Sequence, residues 1–198
     1  MNKGRTTLHR KTIKHFHEPG HLHELTFSCY GRMPLLTNDP WQEKLAWCID
    51  TAGSETAIEL VGFVFMPEHV HLLVYPTTPD PSIGFYLARI KQPLSKQIKQ
   101  ILMESNSTLL TKLTVRERPG KTCFRFWQEG PGFDRNLFSS EAISLSLEYL
   151  HNNPVSRGLC RRPMDWKWSS ARYYLDVPPR QQHNGLPTIH GLPEGAVS

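Results

Sequence analysis

The chain has only four cysteines among its 198 residues, Cys29, Cys48, Cys123 and Cys160, and none falls in a CxxC pair or a compact zinc spacing. With 38% hydrophobic residues it can bury a core without covalent staples, which argues against a disulfide scaffold or a zinc ribbon. No apolar run approaches the roughly 20 residues needed to span a bilayer. The start, MNKGRTTLHRKTIKHFHEPGHLHEL, is basic but lacks the apolar centre of a signal peptide. These absences make a cytoplasmic protein the expectation, with no membrane partner. No internal repeat is evident. Lys and Arg outnumber Asp and Glu by 23 to 18, giving +5 and a pI near 9.1, an excess that favours phosphate-bearing partners without demanding them.

Length and composition predict one domain. Residues 1–20 are polar, basic and aperiodic and read as a flexible His-rich arm. Residues 21–175 form the domain, and the Pro/Gly-rich residues 176–198 read as a mobile tail. Within the domain, HELTFSCY (His23 to Tyr30) has the β-branched and aromatic content of a strand. PWQEKLAWCIDTAGS, from Pro40 to about Ser54, has helical spacing with proline at its start. AIELVGFVFMPEHVHLLVYP gives two β-rich runs about Met66, Pro67 and Glu68, as in a hairpin. Ile83, Leu87, Ile90, Leu94, Ile98 and Ile101 make a helical stripe that Pro93 should kink or split. The stretch from Asn106 to Phe138 holds two or three short strand-like runs that return to the sheet or form a hairpin insert. Ser139 or Ser140 caps a helix through EAISLSLEYLHNN, which Pro154 should stop. The order implies an α+β domain, a largely antiparallel ferredoxin-like sheet with helices packed on it.

In FVFMPEHVHLLVYP, His69 and His71 point to one side of a strand about 7 Å apart, while Val70, Leu72 and Val74 point to the other. Neutral imidazole is a common ligand for divalent metals, and two from one strand form a partial shell that needs at least one more ligand. Spacing alone leaves open a plainer reading, a satisfied core histidine beside a half-exposed one. Two other HxH pairs, His15/His17 and His21/His23, flank Pro19 and Gly20, where solvated or hydrogen-bonded histidines are the better expectation.

In LEYLHNNPV, Ile143, Leu147 and Leu150 form a core stripe, and Tyr149 and Asn153 share a face roughly 90 to 130° from it. A phenol and an amide one turn apart can serve as nucleophile and metal ligand. They can equally be a surface tyrosine and a helix-ending asparagine.

FMPEHVHLLV, then FWQ (Phe126 to Gln128), then EYLHNNPVSRGLCRRPMDWKWSSARYY resemble the REP-associated tyrosine transposases, members of the single-tyrosine HUH transposase superfamily related to IS200. The resemblance runs from about His23 to Tyr174. It implies a ferredoxin-like fold, His69 and His71 as metal ligands about the intervening Val70, Tyr149 as the catalytic tyrosine, and Asn153 as a residue completing the metal shell. It implies Mg²⁺ or Mn²⁺ as cofactor and strand transfer on single-stranded DNA through a 5′-phosphotyrosine. The implied partners are hairpins of repetitive extragenic palindromic (REP) type, met by a monomer acting in cis and associated with the nucleoid. Glu68 stands where many relatives have asparagine, and the His-rich arm and SNSTLLTKLTVRERPGKT depart from the family pattern.

For the DNA surface, Arg89, Lys91, Lys96 and Lys99 on the proline-containing helix, and Arg157, Arg161, Arg162, Lys167 and Arg172 beyond the tyrosine, either track phosphates or form ordinary solvated faces. Trp166 and Trp168 are expected to pack rather than stack on bases. His151, two residues from Tyr149, points to another side of its helix and is expected to be structural or DNA-facing. Two rival readings remain: a non-catalytic nucleic-acid-binding module of the same fold, and a metal phosphodiesterase that uses water.

Overall fold

The computed structural model describes residues 20–175 and 185–194. Its central sheet is antiparallel, with order β2-β3-β1-β6. Strand β1 (Leu22–Ser28) lies between β3 (His69–Pro76) and β6 (Phe133–Leu137), and β2 (Ile58–Phe65) is the far edge. This is the ferredoxin-like arrangement expected from the element order. Between α2 (Ile83–Glu104) and β6 are inserted the short helix α3 (Thr108–Leu113) and a separate hairpin of β4 (Thr114–Arg118) and β5 (Lys121–Phe124). The stretch after α2 thus both forms a hairpin and returns to the sheet.

Both faces of the sheet are covered. On one, Leu25, Phe27, Val70, Leu72 and Val74 pack with α1 (Asp39–Thr56) and α2 (Ile83–Glu104), through Leu45, Ile49, Leu87, Ile90, Leu94 and Ile98. On the other, Leu22, Val61, Val64 and Leu73 meet Ile143, Leu147 and Leu150 of α4 (Ser140–Ser156). Local chemistry sets the helix ends. The Asn38 side chain accepts from the Trp41 amide at 3.0 Å, Ser82 accepts from Phe85, and Ser139 accepts from Ala142. At Gly62 a Cβ would stand 2.9 Å from Leu147 Cδ2, so its absence lets α4 press close to the sheet.

Pro93 does not split its helix, and Pro154 does not stop its own. Pro93 lies inside α2, which remains one 22-residue helix, and Pro154 lies inside the last turn of α4, which runs on to Ser156. A proline removes one amide donor, and here the packed stripes on either side outweigh that loss.

The C-terminal expectation also fails in part. Residues 185–194 pack on the core: Ile189 is buried, Thr188 donates from its amide to Asp50 at 2.8 Å, and the His190 amide donates to the Leu60 carbonyl at 2.9 Å. Together with Trp168 to Ser170, whose backbone bonds to Phe63 and Phe65, this segment covers the otherwise open edge of β2. The expected flexible arm lies almost wholly outside the described residues, as do His15 and His17. His23 is buried and its Nδ1 meets Asp134 Oδ1 at 2.8 Å, the hydrogen-bonded state expected for it.

Candidate active site

The strand pairing builds the site. Thr26 on β1 stands opposite His71 on β3, so their side chains lie on the same face, the one that α4 covers. His71 Nδ1 and Thr26 Oγ1 are 2.8 Å apart. His69 Nδ1 meets the Glu68 carboxylate at 3.1 Å, and Arg157 holds the same carboxylate oxygen at 2.9 Å. The outer nitrogen of each ring is thus occupied, and the inner Nε2 atoms converge to 2.9 Å.

A carboxylate only accepts, so the proton of neutral His69 sits on Nδ1 and its Nε2 carries a lone pair. His71 then has two arrangements. Either its Nε2–H donates to that lone pair, or its Nδ1–H donates to Thr26 and a second lone pair faces the same point. A divalent cation selects the second. The Asn153 amide reaches this point as well, with Nδ2 3.3 Å from His71 Nε2, and a half-turn of the amide exchanges nitrogen for oxygen there. Among the described residues no group of three or more His, Cys, Asp or Glu is gathered for a metal, and the Asn153 amide stands within reach of the two imidazoles as a third ligand. Two imidazoles and an amide oxygen fit Mn²⁺ or Mg²⁺ with positions left for water and phosphate oxygens.

Electrostatics keep the imidazoles neutral. Burial pushes His71 down to about 4, helped by His69 and Arg32, and burial likewise lowers His69 against the pull of Glu68. Burial tends to raise the Glu68 carboxyl, but His69 and the Arg157 guanidinium hold it below the ordinary carboxylate range.

Tyr149 completes the site from α4. Its ring lies edge-on to His71, centroids 5.8 Å apart at 89°, while the side chain stays 58% exposed. An apolar ring that open is not held there by the core, and its hydroxyl is accessible to a large substrate. Thr26, Arg32, His69, His71, Tyr149, Asn153, Ser156 and Arg157 line a single open cleft of about 300 Å³.

Of the expected cations only Arg157 reaches this cleft. Arg89, Lys91, Lys96 and Lys99 belong to α2, in the helix layer across the sheet. There Arg89 pairs with Glu55, and Lys91 is bonded to the Gly130 carbonyl at 2.9 Å, while Lys96 and Lys99 are exposed. Arg162 pairs with Asp165, Lys167 with Asp39, and Arg172 donates to the Met164 carbonyl, whereas Arg161 is exposed. Trp166 and Trp168 pack as expected, donating to the Phe65 carbonyl and to Asp39. His151 is buried with Nε2 2.8 Å from the Ser170 hydroxyl, which makes it structural.

Thr26, Arg32 and Ser156 are site residues that sequence reading missed. Thr26 becomes visible only once β1 and β3 are paired in register, and Arg32 sits in a connection with no periodicity to announce it.

The sequence matches the family model described as "Transposase IS200 like" over residues 20–131. A REP-associated tyrosine transposase of Haemophilus influenzae is 27% identical over 119 residues, 60% of this chain and 61% of the relative, so the match spans less than two thirds of the relative's length. Among solved structures, that of a REP-associated tyrosine transposase bound to a REP hairpin aligns with a TM-score of 0.62 at 16% identity, covering 96% of this chain and 98% of the other. A transposase structure from Deinococcus radiodurans aligns at 0.43 with 17% identity, over 77% and 97% of the two chains. The 0.62 alignment supports the ferredoxin-like fold. No helix among the described residues is long and apolar enough to cross a membrane. With a family model matched over more than half of its residues, the chain belongs to the IS200-like transposases.

Proposed function

We propose that this chain is a metal-dependent strand-transfer enzyme that cleaves and rejoins hairpin-containing single-stranded DNA through a 5′-phosphotyrosine on Tyr149. The observation that carries the proposal is the pairing of an exposed phenol, Tyr149, with two converging imidazole nitrogens in one cleft. Its relatives are transposases, and one was solved on a REP hairpin, which makes a hairpin of that kind the first substrate to try.

His69, His71 and the amide of Asn153 would hold Mg²⁺ or Mn²⁺. Such an ion, when bound, neutralises charge on the phosphate and makes phosphorus easier to attack. The chain's own residues supply the rest. Tyr149 Oη forms a bond to phosphorus, the bond to the 3′-oxygen breaks, and that oxygen leaves as a 3′-hydroxyl with the proton balance closed by solvent. The adduct keeps a phosphodiester bond, so a second 3′-hydroxyl can displace the phenol and join two strands without ATP. Tyr149 lies against a histidine of its own chain, which supports action in cis by a monomer.

The test is to incubate the protein with labelled single-stranded hairpins from the DNA flanking its own gene, with Mn²⁺ or Mg²⁺, and to denature it. Label should stay on the protein, and chelator, Tyr149→Phe or His69→Ala with His71→Ala should each abolish it. Binding without any adduct, or cleavage leaving a free 5′-phosphate and no adduct, would overturn the covalent reading.

A further inference from the structure

Arg32 occupies a costly backbone position. It has φ of 56°, directly after Gly31 with φ of 59°, so two successive residues are left-handed and the second has a Cβ. A non-glycine residue holds that conformation only when its surroundings impose it. Here Gln128 does so. Its amide donates to the Ser28 carbonyl at 2.8 Å at the end of β1, and its side-chain oxygen accepts from the Gly31 amide at 3.3 Å. The Arg32 amide also donates to the Cys29 carbonyl at 3.1 Å. The turn delivers the Arg32 side chain to the cleft wall, with His69, His71 and Tyr149.

The charge there is uncompensated. Arg157, the other arginine of the cleft, is neutralised by Glu68, whereas Arg32 has no ion-pair partner among the described residues. The guanidinium shares the wall of the cleft with the two histidines, so it stands where another cation would also be held. Two positive groups share one small cleft stably when an anion lies between them. Guanidinium is suited to a tetrahedral phosphate, which it can grip with two parallel N–H donors.

We propose that Arg32 grips the scissile phosphate and that Gln128 is the residue that positions it. This rests on the strand-transfer reading above and adds the group that neutralises the second non-bridging oxygen as Tyr149 attacks. It also gives a physical role to the glutamine of the FWQ stretch, which bonds to Gly31 and Ser28 behind the cleft wall.

Two measurements on the full chain test it. Without metal, the affinity of wild-type protein is measured for a labelled hairpin and for the same hairpin with a methylphosphonate, uncharged, at the scissile position. Wild type should favour the phosphate by about tenfold, and Arg32→Ala should bind both equally. With Mn²⁺, Arg32→Ala should slow adduct formation by about 10² to 10³-fold, with Arg32→Lys between. Gln128→Leu should lose most of the phosphate preference, and Gln128→Glu, which keeps an acceptor for the Gly31 amide, should restore it. If wild type forms the adduct and Arg32→Ala retains both the preference and the rate, the assignment of Arg32 is wrong while strand transfer stands. If wild type forms no adduct with any hairpin, strand transfer and this proposal fall together. Loss of phosphate preference equally in Gln128→Leu and Gln128→Glu would remove the positioning role of Gln128 alone.

Discussion

The Nδ1 of His71 and the hydroxyl of Thr26 are 2.8 Å apart because β1 and β3 pair with these two residues directly opposite. That contact decides which nitrogen of His71 is free to face the cleft. Thr26→Val keeps the shape and removes the hydroxyl. We expect it to weaken Mn²⁺ binding about 10 to 100-fold, read by calorimetry on the DNA-free protein, with little change in melting temperature. Unchanged affinity would mean that His71 needs no outside support to present Nε2.

Tyr149→Phe separates chemistry from stability. The side chain is 58% exposed and the ring contact with His71 survives the change, so stability should stay within about 0.5 kcal/mol of wild type in a denaturant titration. Adduct formation should vanish while hairpin affinity is kept. A residual adduct would point to another nucleophile.

Buried histidines set a pH dependence. Burial pushes His151 from 6.5 down to about 4, and His71 to about 4 as well. The folded pKa lies below the unfolded one, so between those limits the unfolded chain binds more protons. Their contribution to stability is full above pH 6.5 and is lost as pH falls through about 4. Each such group contributes a slope approaching 1.4 kcal/mol per pH unit, about one proton. His151→Gln can still bond Ser170 but does not titrate. Denaturant titrations of metal-free protein from pH 7 to 4.5 should show the slope reduced by about one proton in the variant. An unchanged slope would place the acid sensitivity elsewhere.

Much of the core and half of the site were legible in the sequence because periodicity reports them directly. The 3.6-residue stripe from Ile83 to Ile98 and the alternation about His69 and His71 are local signals, and both elements formed. The fold also supplied what residue spacing alone left open: whether Tyr149, eighty residues beyond His69, faces it. Thr26 was not legible because its role follows from strand register, a long-range property. The role of the α2 cations was left open for a related reason. A helical face of Arg89, Lys91, Lys96 and Lys99 shows charge but not which side of the sheet the helix will cover, and α2 covers the side away from the histidines. Pro154 misled because propensity is local and weak beside the burial of a whole stripe.

The C-terminal segment was the clearest misreading, and it carries the last prediction. Pro and Gly content suggested a mobile tail, yet Ile189 drops into the main core and the backbone on either side of it bonds to Asp50 and Leu60. A ten-residue stretch held by buried Ile189, with Leu186 and Leu192 only half-buried against the cores, is the kind of unit that opens locally before the domain unfolds. Ile189→Ala should therefore act mainly on that opening. Losing most of one isoleucine's burial costs about 2 kcal/mol, which is roughly a thirtyfold rise in the open population. Native-state hydrogen exchange should show that rise at the His190 amide, which is bonded to Leu60. Amides in the β1–β3 ladder should be protected almost as in wild type. Equal loss of protection at both places would instead show that residues 185–194 unfold only with the whole domain, as an integral edge of the sheet.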